Sequence, residues 1–234
     1  MKNKIFEFTL IPLEGLQADL TEFNRYLHKD EIVLVKNATI KRKKEFLAGR
    51  LAAKTAYCLL VKNGKSMDFQ DICIHNDCLG APYLGDSRYF SSISHDNEYA
   101  AAVVSDRQEI KIGVDIQRSD MVNEQIKSYF LNKKEIQLLD KYQYLFAENI
   151  LYTAFWVAKE SMSKLLQYGF SSYGLLEIEH LEIENDLIIN FKGLSSFQVI
   201  IRLFHGYVLG FAAFKKKIGL LNKDNLEIKE SKLV

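Results

Sequence analysis

Two long helical stretches, each set among runs of alternating strands, constrain this chain more than any other feature. Over Lys41–Val61, Phe46, Ala53, Tyr57 and Leu60 fall on one side of a helix. Over Ala147–Gln167, Phe155, Ala158, Met162, Leu165 and Leu166 make an apolar stripe at 100° per residue. Strands are predicted around the first helix at Ile5–Ile11, Ile72–His75, Tyr89–Ser94 and Tyr99–Val104. Around the second they are predicted at Lys111–Gln117, Leu176–Ile183, Leu187–Phe191, Phe197–Arg202 and Tyr207–Phe214. Shorter helices are expected at Leu16–Leu27, Met121–Ser128 and Lys133–Tyr142. One long helix with several strands in each half predicts an α+β pseudo-dimer of two similar halves, each a small antiparallel-type sheet packed on its helix. Asn97–Val103 and His205–Phe211 are faintly alike, as a repeat would require. The expected division is 1–108, 109–216 and a charged, loosely packed tail at 217–234.

The chain has 234 residues, 48% hydrophobic and 26% charged, enough for a substantial core. A net charge of +1 argues against electrostatic nucleic-acid binding by the molecule as a whole, so anion binding must come from local clusters. No segment approaches the ~18–20 apolar residues of a membrane helix. The start, Met1–Phe8, carries charges and no small-residue cleavage site, unlike a signal peptide. Three cysteines, Cys58, Cys73 and Cys78, build no disulfide framework. The expectation is a cytoplasmic protein with no membrane or nucleic-acid partner. Cys73-x-His75-x-x-Cys78 has zinc-like spacing but lacks a second matched pair, and free thiols are the reading adopted.

Two segments carry chemistry. In the strand Lys111–Gln117, Ile112, Val114 and Ile116 face one side and Gly113, Asp115 and Gln117 the other. Oxygen-bearing side chains two apart on a strand can converge on one hard cation. In Trp156–Lys164, Trp156, Glu160 and Lys164 share a helix face separate from the apolar stripe. An aspartate on a strand with a carboxylate and a cation on a helix are the parts of a metal-assisted phosphoryl-type transfer. A Ser94–His95–Asp115 hydrolase is the enzymatic rival, but adjacent serine and histidine on a strand diverge and no Gly-x-Ser-x-Gly elbow is present. A basic-helix binding module using Lys41–Lys54 is the non-enzymatic rival.

The order Ser94-His95, Gly113-Val114-Asp115, Trp156-x-x-Lys159-Glu160-x-x-x-Lys164 resembles the 4′-phosphopantetheinyl transferases, specifically the surfactin-activating (Sfp-type) class. Phe46–Lys54, Gly80-x-Pro82, Phe130-x-x-x-x-Glu135 and Gly206-Tyr207 add to the likeness, which spans roughly Lys41 to Phe214. The resemblance implies a pseudo-dimer with its active site in the cleft between halves. It implies transfer of the phosphopantetheinyl arm of coenzyme A to a serine of an apo acyl or peptidyl carrier protein, with Mg²⁺ (or Mn²⁺), releasing 3′,5′-ADP. Carriers of nonribosomal peptide, polyketide or fatty-acid synthesis all fit, and the internal pseudo-dimer would act as a monomer.

By that resemblance Asp115, Gln117 and Glu160 hold the metal, Asp115, Glu160 and Lys164 are catalytic, and Lys43, Arg50, Lys54, Ser94, His95, Lys159 and Lys164 bind coenzyme A. Many relatives carry a glutamate where Gln117 stands, and the amide can weaken metal binding or mark a degenerate coenzyme A- or carrier-binding protein. Lys43, Arg50 and Lys54 lie along one helical face, either a solvated face or a cradle for the 3′-phosphoadenosine end. Ala81 replaces a common lysine, leaving that cradle one cation short. His95 could bind phosphate or satisfy a turn, Glu135 could serve the site or favour its helix's dipole, and Trp156 shapes the cleft.

Overall fold

The computed structural model describes residues 4–61, 67–85, 88–122, 124–167, 175–221, 226 and 228. The chain divides into two compact units, Met1–Ile112 with Leu226–Val234, and Gly113–Asn225. The division falls just before the first strand of the second unit, four residues beyond residue 108.

The first unit contains β1 (Phe6–Pro12), α1 (Leu20–Tyr26), α2 (Lys29–Val35), α3 (Ile40–Val61), β2 (Ile74–Asn76), β3 (Pro82–Leu84), β4 (Tyr89–His95) and β5 (Tyr99–Asp106). Its five strands lie in the order β1-β5-β4-β3-β2, each neighbour antiparallel. The second unit contains β6 (Gly113–Arg118), α4 (Glu124–Phe130), α5 (Lys133–Asp140), α6 (Glu148–Leu166), β7 (Ile178–Ile183), β8 (Leu187–Phe191), β9 (Phe197–Phe204), β10 (Tyr207–Phe214) and α7 (Lys215–Ile218). Its strand order, β6-β10-β9-β8-β7, reproduces that of the first unit. The α+β pattern of two similar halves is therefore what the chain adopts.

Three departures from the sequence reading have local causes. Helix α1 starts at Leu20 rather than Leu16, because Asp19 caps it by accepting from the Glu22 amide at 2.9 Å. Helix α2 and strand β3 were not foreseen: α2 exposes Val33 and Leu34 and buries Glu31 beside Val35, which blurs the expected amphipathic pattern. After β10 the chain packs rather than trailing off, since Leu221 is fully buried and its carbonyl accepts from Arg202 at 2.6 Å. The rest of the expected tail, save Leu226 and Ile228, lies outside the described residues.

Each long helix packs on its own sheet. Leu47, Leu51, Ala52 and Ala56 of α3 join a core with Leu84, Ala102 and Val104. Phe155, Ala158 and Met162 of α6 join Ile189, Val199 and Val208. Burying each such large side chain contributes roughly 1.5–3 kcal/mol. Two glycines let α6 approach its sheet closely. A β-carbon at Gly113 would overlap the Ser161 carbonyl oxygen and reach within 2.8 Å of the Leu165 amide. One at Gly210, which pairs with Asp115, would lie 2.6 Å from Val157 Cγ1. Glycine at both positions brings the Asp115 face of β6 against the helix.

A second device is built twice. In the first unit Glu31 occupies the third position of a capping box headed by His28. Its Oε2 accepts from the His28 amide at 2.9 Å and from Lys54 Nζ at 2.5 Å, and its Oε1 accepts from the Ile74 amide at 3.1 Å. In the second unit Glu135 occupies the same position of a capping box headed by Asn132. Its Oε2 accepts from the Asn132 amide at 2.8 Å, and its Oε1 accepts from the Ile178 amide at 2.8 Å and pairs with Lys159 at 2.8 Å. The strand amide lies 43 residues beyond the glutamate in both units. Each buried lysine thus ties a short helix and an edge strand to the long helix.

Candidate active site

In the second unit β6 and α6 bring three of the expected residues together. Lys164 Nζ donates to Asp115 Oδ1 at 2.7 Å. Glu160, one helical turn before Lys164, is 7% exposed, and its Oε1 accepts no hydrogen bond among the described residues. Burial pushes the Glu160 carboxyl up to about 7, the nearby Asp115 charge adds to the rise, and Lys164 opposes it. Asp115 is buried, whereas the Lys164 side chain is 27% exposed and forms the open edge of the cluster. A carboxyl held near neutrality can accept a proton at physiological pH. The cation beside it can hold an anionic substrate.

Gln117 lies two residues beyond Asp115 on β6 and is half-buried. The orphaned Glu160 oxygen and the Asp115 carboxylate are hard oxygen donors of the kind Mg²⁺ takes, and Gln117 carries an amide oxygen two residues along the same strand. The residues present therefore fit a divalent cation.

The other expected ligands separate into two groups. His95 and Ser94 end β4, where His95 Nε2 lies 3.0 Å from Arg42 Nη1 and Nδ1 lies 3.9 Å from Glu45. Lys43 is half-buried at the start of α3, next to exposed Lys41 and Arg42. These residues form a mixed basic and acidic surface on the first unit. Sequence reasoning counts Arg42 in the basic run Lys41–Lys44 without giving it a role of its own, and passes over Glu45, although both fall within one helical turn of Lys43.

Arg50, Lys54 and Lys159 correct the expected list. Lys54 is fully buried, and Nζ donates to Glu31 and to the carbonyls of Tyr26 and Phe69 at 2.9 and 2.8 Å, which uses all three protons. Lys159 is 1% exposed, pairs with Glu135 and donates to the Phe130 carbonyl at 2.6 Å. Arg50 is 8% exposed, lies 3.2 Å from Glu31, and its guanidinium covers the Phe46 ring at 4.5 Å. Burial is the largest influence on all three cations and lowers their pKa, while the neighbouring glutamates oppose it. Two of the three cations on the face read as Lys43-Arg50-Lys54 thus bind a core carboxylate, which leaves Lys43 as its accessible member. Glu135 likewise serves its capping box and Lys159. Trp156 packs edge-on to Phe130, ring centroids 5.2 Å apart, inside its own unit.

The comparisons with known proteins follow this division. Residues 30–105 match the 4′-phosphopantetheinyl transferase N-terminal domain, and residues 111–212 match the 4′-phosphopantetheinyl transferase superfamily. A holo-[acyl-carrier-protein] synthase of Geobacillus sp. is 42% identical over 87 residues, covering 35% of this chain and 73% of that protein. The chain belongs to the 4′-phosphopantetheinyl transferase superfamily. Another relative of the same name, from Bacillus pumilus, is 34% identical over 113 residues, covering 39% of this chain and 93% of that protein. A holo-(acyl-carrier-protein) synthase structure from Bacillus anthracis, in complex with CoA (3′,5′-ADP), is 34% identical. It covers 43% of this chain and 93% of its own, with a TM-score of 0.39. Among the described residues no helix is long and apolar enough to cross a membrane.

Proposed function

We propose that this phosphopantetheinyl transferase moves the 4′-phosphopantetheine group of coenzyme A to a serine hydroxyl of an apo acyl or peptidyl carrier protein, releasing 3′,5′-ADP. The observation that carries the reading is the Asp115–Lys164 pair beside a buried Glu160 whose carboxyl titrates near 7. The serine oxygen attacks the phosphorus bearing the pantetheine arm, and the bond from that phosphorus to the bridging oxygen of 3′,5′-ADP breaks. Glu160 accepts the serine proton. Lys164, the exposed member of the cluster, neutralises the pyrophosphate and the departing phosphate, while Asp115 orients Lys164 and holds it at the mouth of the site. A divalent cation, Mg²⁺ or Mn²⁺, held by Asp115, Glu160 and Gln117, would supply further neutralisation of pyrophosphate charge.

The N-terminal family match and the duplicated sheet support assignment to the two-unit, surfactin-activating class, acting as a single chain. Arg42, Lys43, Ser94 and His95 are the first-unit groups proposed to meet the coenzyme A phosphates. The test is intact-mass spectrometry of apo carriers of fatty-acid, polyketide and nonribosomal peptide type, incubated with the protein, coenzyme A and Mg²⁺. The expected result is addition of one phosphopantetheinyl arm to at least one carrier. Unmodified carriers of all three types overturn the proposal.

A further inference from the structure

Cys73, which the sequence paired only with His75 and Cys78, acquires different neighbours in the fold. His28, at the head of α2, and Asp30, in its first turn, approach it, so that one potential ligand atom from each of His28, Asp30 and Cys73 lies within 4.8 Å of the others. His75, two residues along the edge strand β2, adds a fourth: its Nδ1 lies 3.9 Å from Cys73 Sγ. Cys78 is exposed and is not part of the group. Three of the four, Asp30, Cys73 and His75, line a cavity of about 250 Å³ together with Asn76.

We propose that His28, Asp30, Cys73 and His75 form a second metal site, for a borderline cation such as Zn²⁺, separate from the Asp115–Glu160 cluster. The donors are one thiol, two imidazoles and one carboxylate, the set such an ion takes in tetrahedral sites. A Zn–S bond of about 2.3 Å and Zn–N and Zn–O bonds of about 2.0–2.1 Å place adjacent donors roughly 3.3–3.6 Å apart. His28 and Asp30 stand 3.5 Å apart, Cys73 and His75 3.9 Å apart, and the three atoms of His28, Asp30 and Cys73 within 4.8 Å, so the donors must close by up to about 1.5 Å, a movement of side chains that are half-buried (His28, Cys73) or exposed (Asp30, His75). His28 Nδ1 accepts only a long 3.3 Å bond from the Asp30 amide and lies 3.5 Å from the Asp30 carboxylate. Burial and the Glu31 and Asp30 charges push the Cys73 thiol up, so the thiol holds its proton until a cation displaces it. The dipole of α2 works against a cation here, but the Asp30 carboxylate and the Cys73 thiolate offset it with two full negative charges. Bound metal would clip the α2 N-terminus to edge strand β2, the junction that Glu31 already spans from inside.

The site is tested by stripping the full chain of metal with a chelator and titrating it with Co²⁺. The expected result is one equivalent that gives a thiolate-to-metal absorption band in the near ultraviolet. A cobalt ion on the oxygen ligands of the Asp115–Glu160 cluster gives no such band, so the two sites are distinguished. Cys73→Ser abolishes the band and Cys78→Ser retains it. His75→Ala weakens Zn²⁺ binding by more than about 100-fold in chelator competition, since outer-shell partners alone are worth ~10–100-fold. No thiolate band, a band that survives Cys73→Ser, or one lost in Cys78→Ser overturns the assignment.

Discussion

Replacing Lys159 with methionine separates the role the structure gives this residue from the one its motif position suggested. Methionine keeps the stem in the core and removes the ammonium. Glu135 Oε1 then loses a partner at 2.8 Å and the Phe130 carbonyl a donor at 2.6 Å, both in a setting where lysine and glutamate are each 1% exposed. Breaking a buried pair from one side costs about 3–5 kcal/mol, and the lower part of that range fits here because Glu135 keeps its two backbone amide bonds. The orphaned carbonyl adds about 1 kcal/mol. A total of about 4 kcal/mol is a large share of a typical domain's stability. Urea denaturation followed by the α6 tryptophan, Trp156, reads the second unit's transition. The Glu135→Gln/Lys159→Met double variant should recover part of the loss, because no buried charge is left alone. Varying coenzyme A should show a KM within a factor of about three of wild type wherever the variant is folded. Unchanged stability with a tenfold or larger rise in that KM would refute the structural role and return Lys159 to the substrate.

Other expectations follow from the same geometry. Gln117→Glu adds a carboxylate beside Asp115 and should lower the Mg²⁺ concentration for half-maximal rate. An unchanged or raised requirement places residue 117 outside the metal's surroundings. The Glu160 carboxyl stands near 7 when folded against an ordinary 4.5, so the folded state keeps a proton that the unfolded state loses. That contribution to stability is present below about pH 4.5 and disappears as pH rises through 7, on the order of 3 kcal/mol at most. Denaturation of the metal-free protein at pH 5 and pH 8 should therefore show a fall that Glu160→Gln lacks. Parallel pH dependence in the two proteins contradicts the assigned titration.

Periodicity made the main elements legible because their apolar faces are regular. Strands β6 and β10 and helix α6 were all predicted to within two residues at either end. Helix α2 escaped because a glutamate, Glu31, shares its buried face with Val35 while Val33 and Leu34 are exposed. The Asp115, Glu160 and Lys164 cluster was readable because each residue declares its chemistry and its face. Buried lysines do not: a lysine in a helix reads as surface, and its carboxylate partner is remote in sequence. Two signals could have exposed them. Asn132-x-x-Glu135 has the spacing of a capping box, and His28-x-x-Glu31 repeats that spacing with an imidazole at its head. The equal 43-residue interval to Ile74 and Ile178 marks the duplication more clearly than the likeness of β5 and β10. Gly113 and Gly210, glycines inside strand patterns, announced the close approach of a helix and were read only as motif letters.

The rate of arm transfer by Glu160→Gln, followed by intact mass on a carrier the wild type modifies, reaches the central assignment most directly. Amide for carboxylate keeps the shape and removes the proton acceptor. A fall of about 10²-fold or more at saturating coenzyme A is predicted, while a rate within a few-fold of wild type would show that the serine proton leaves by another route.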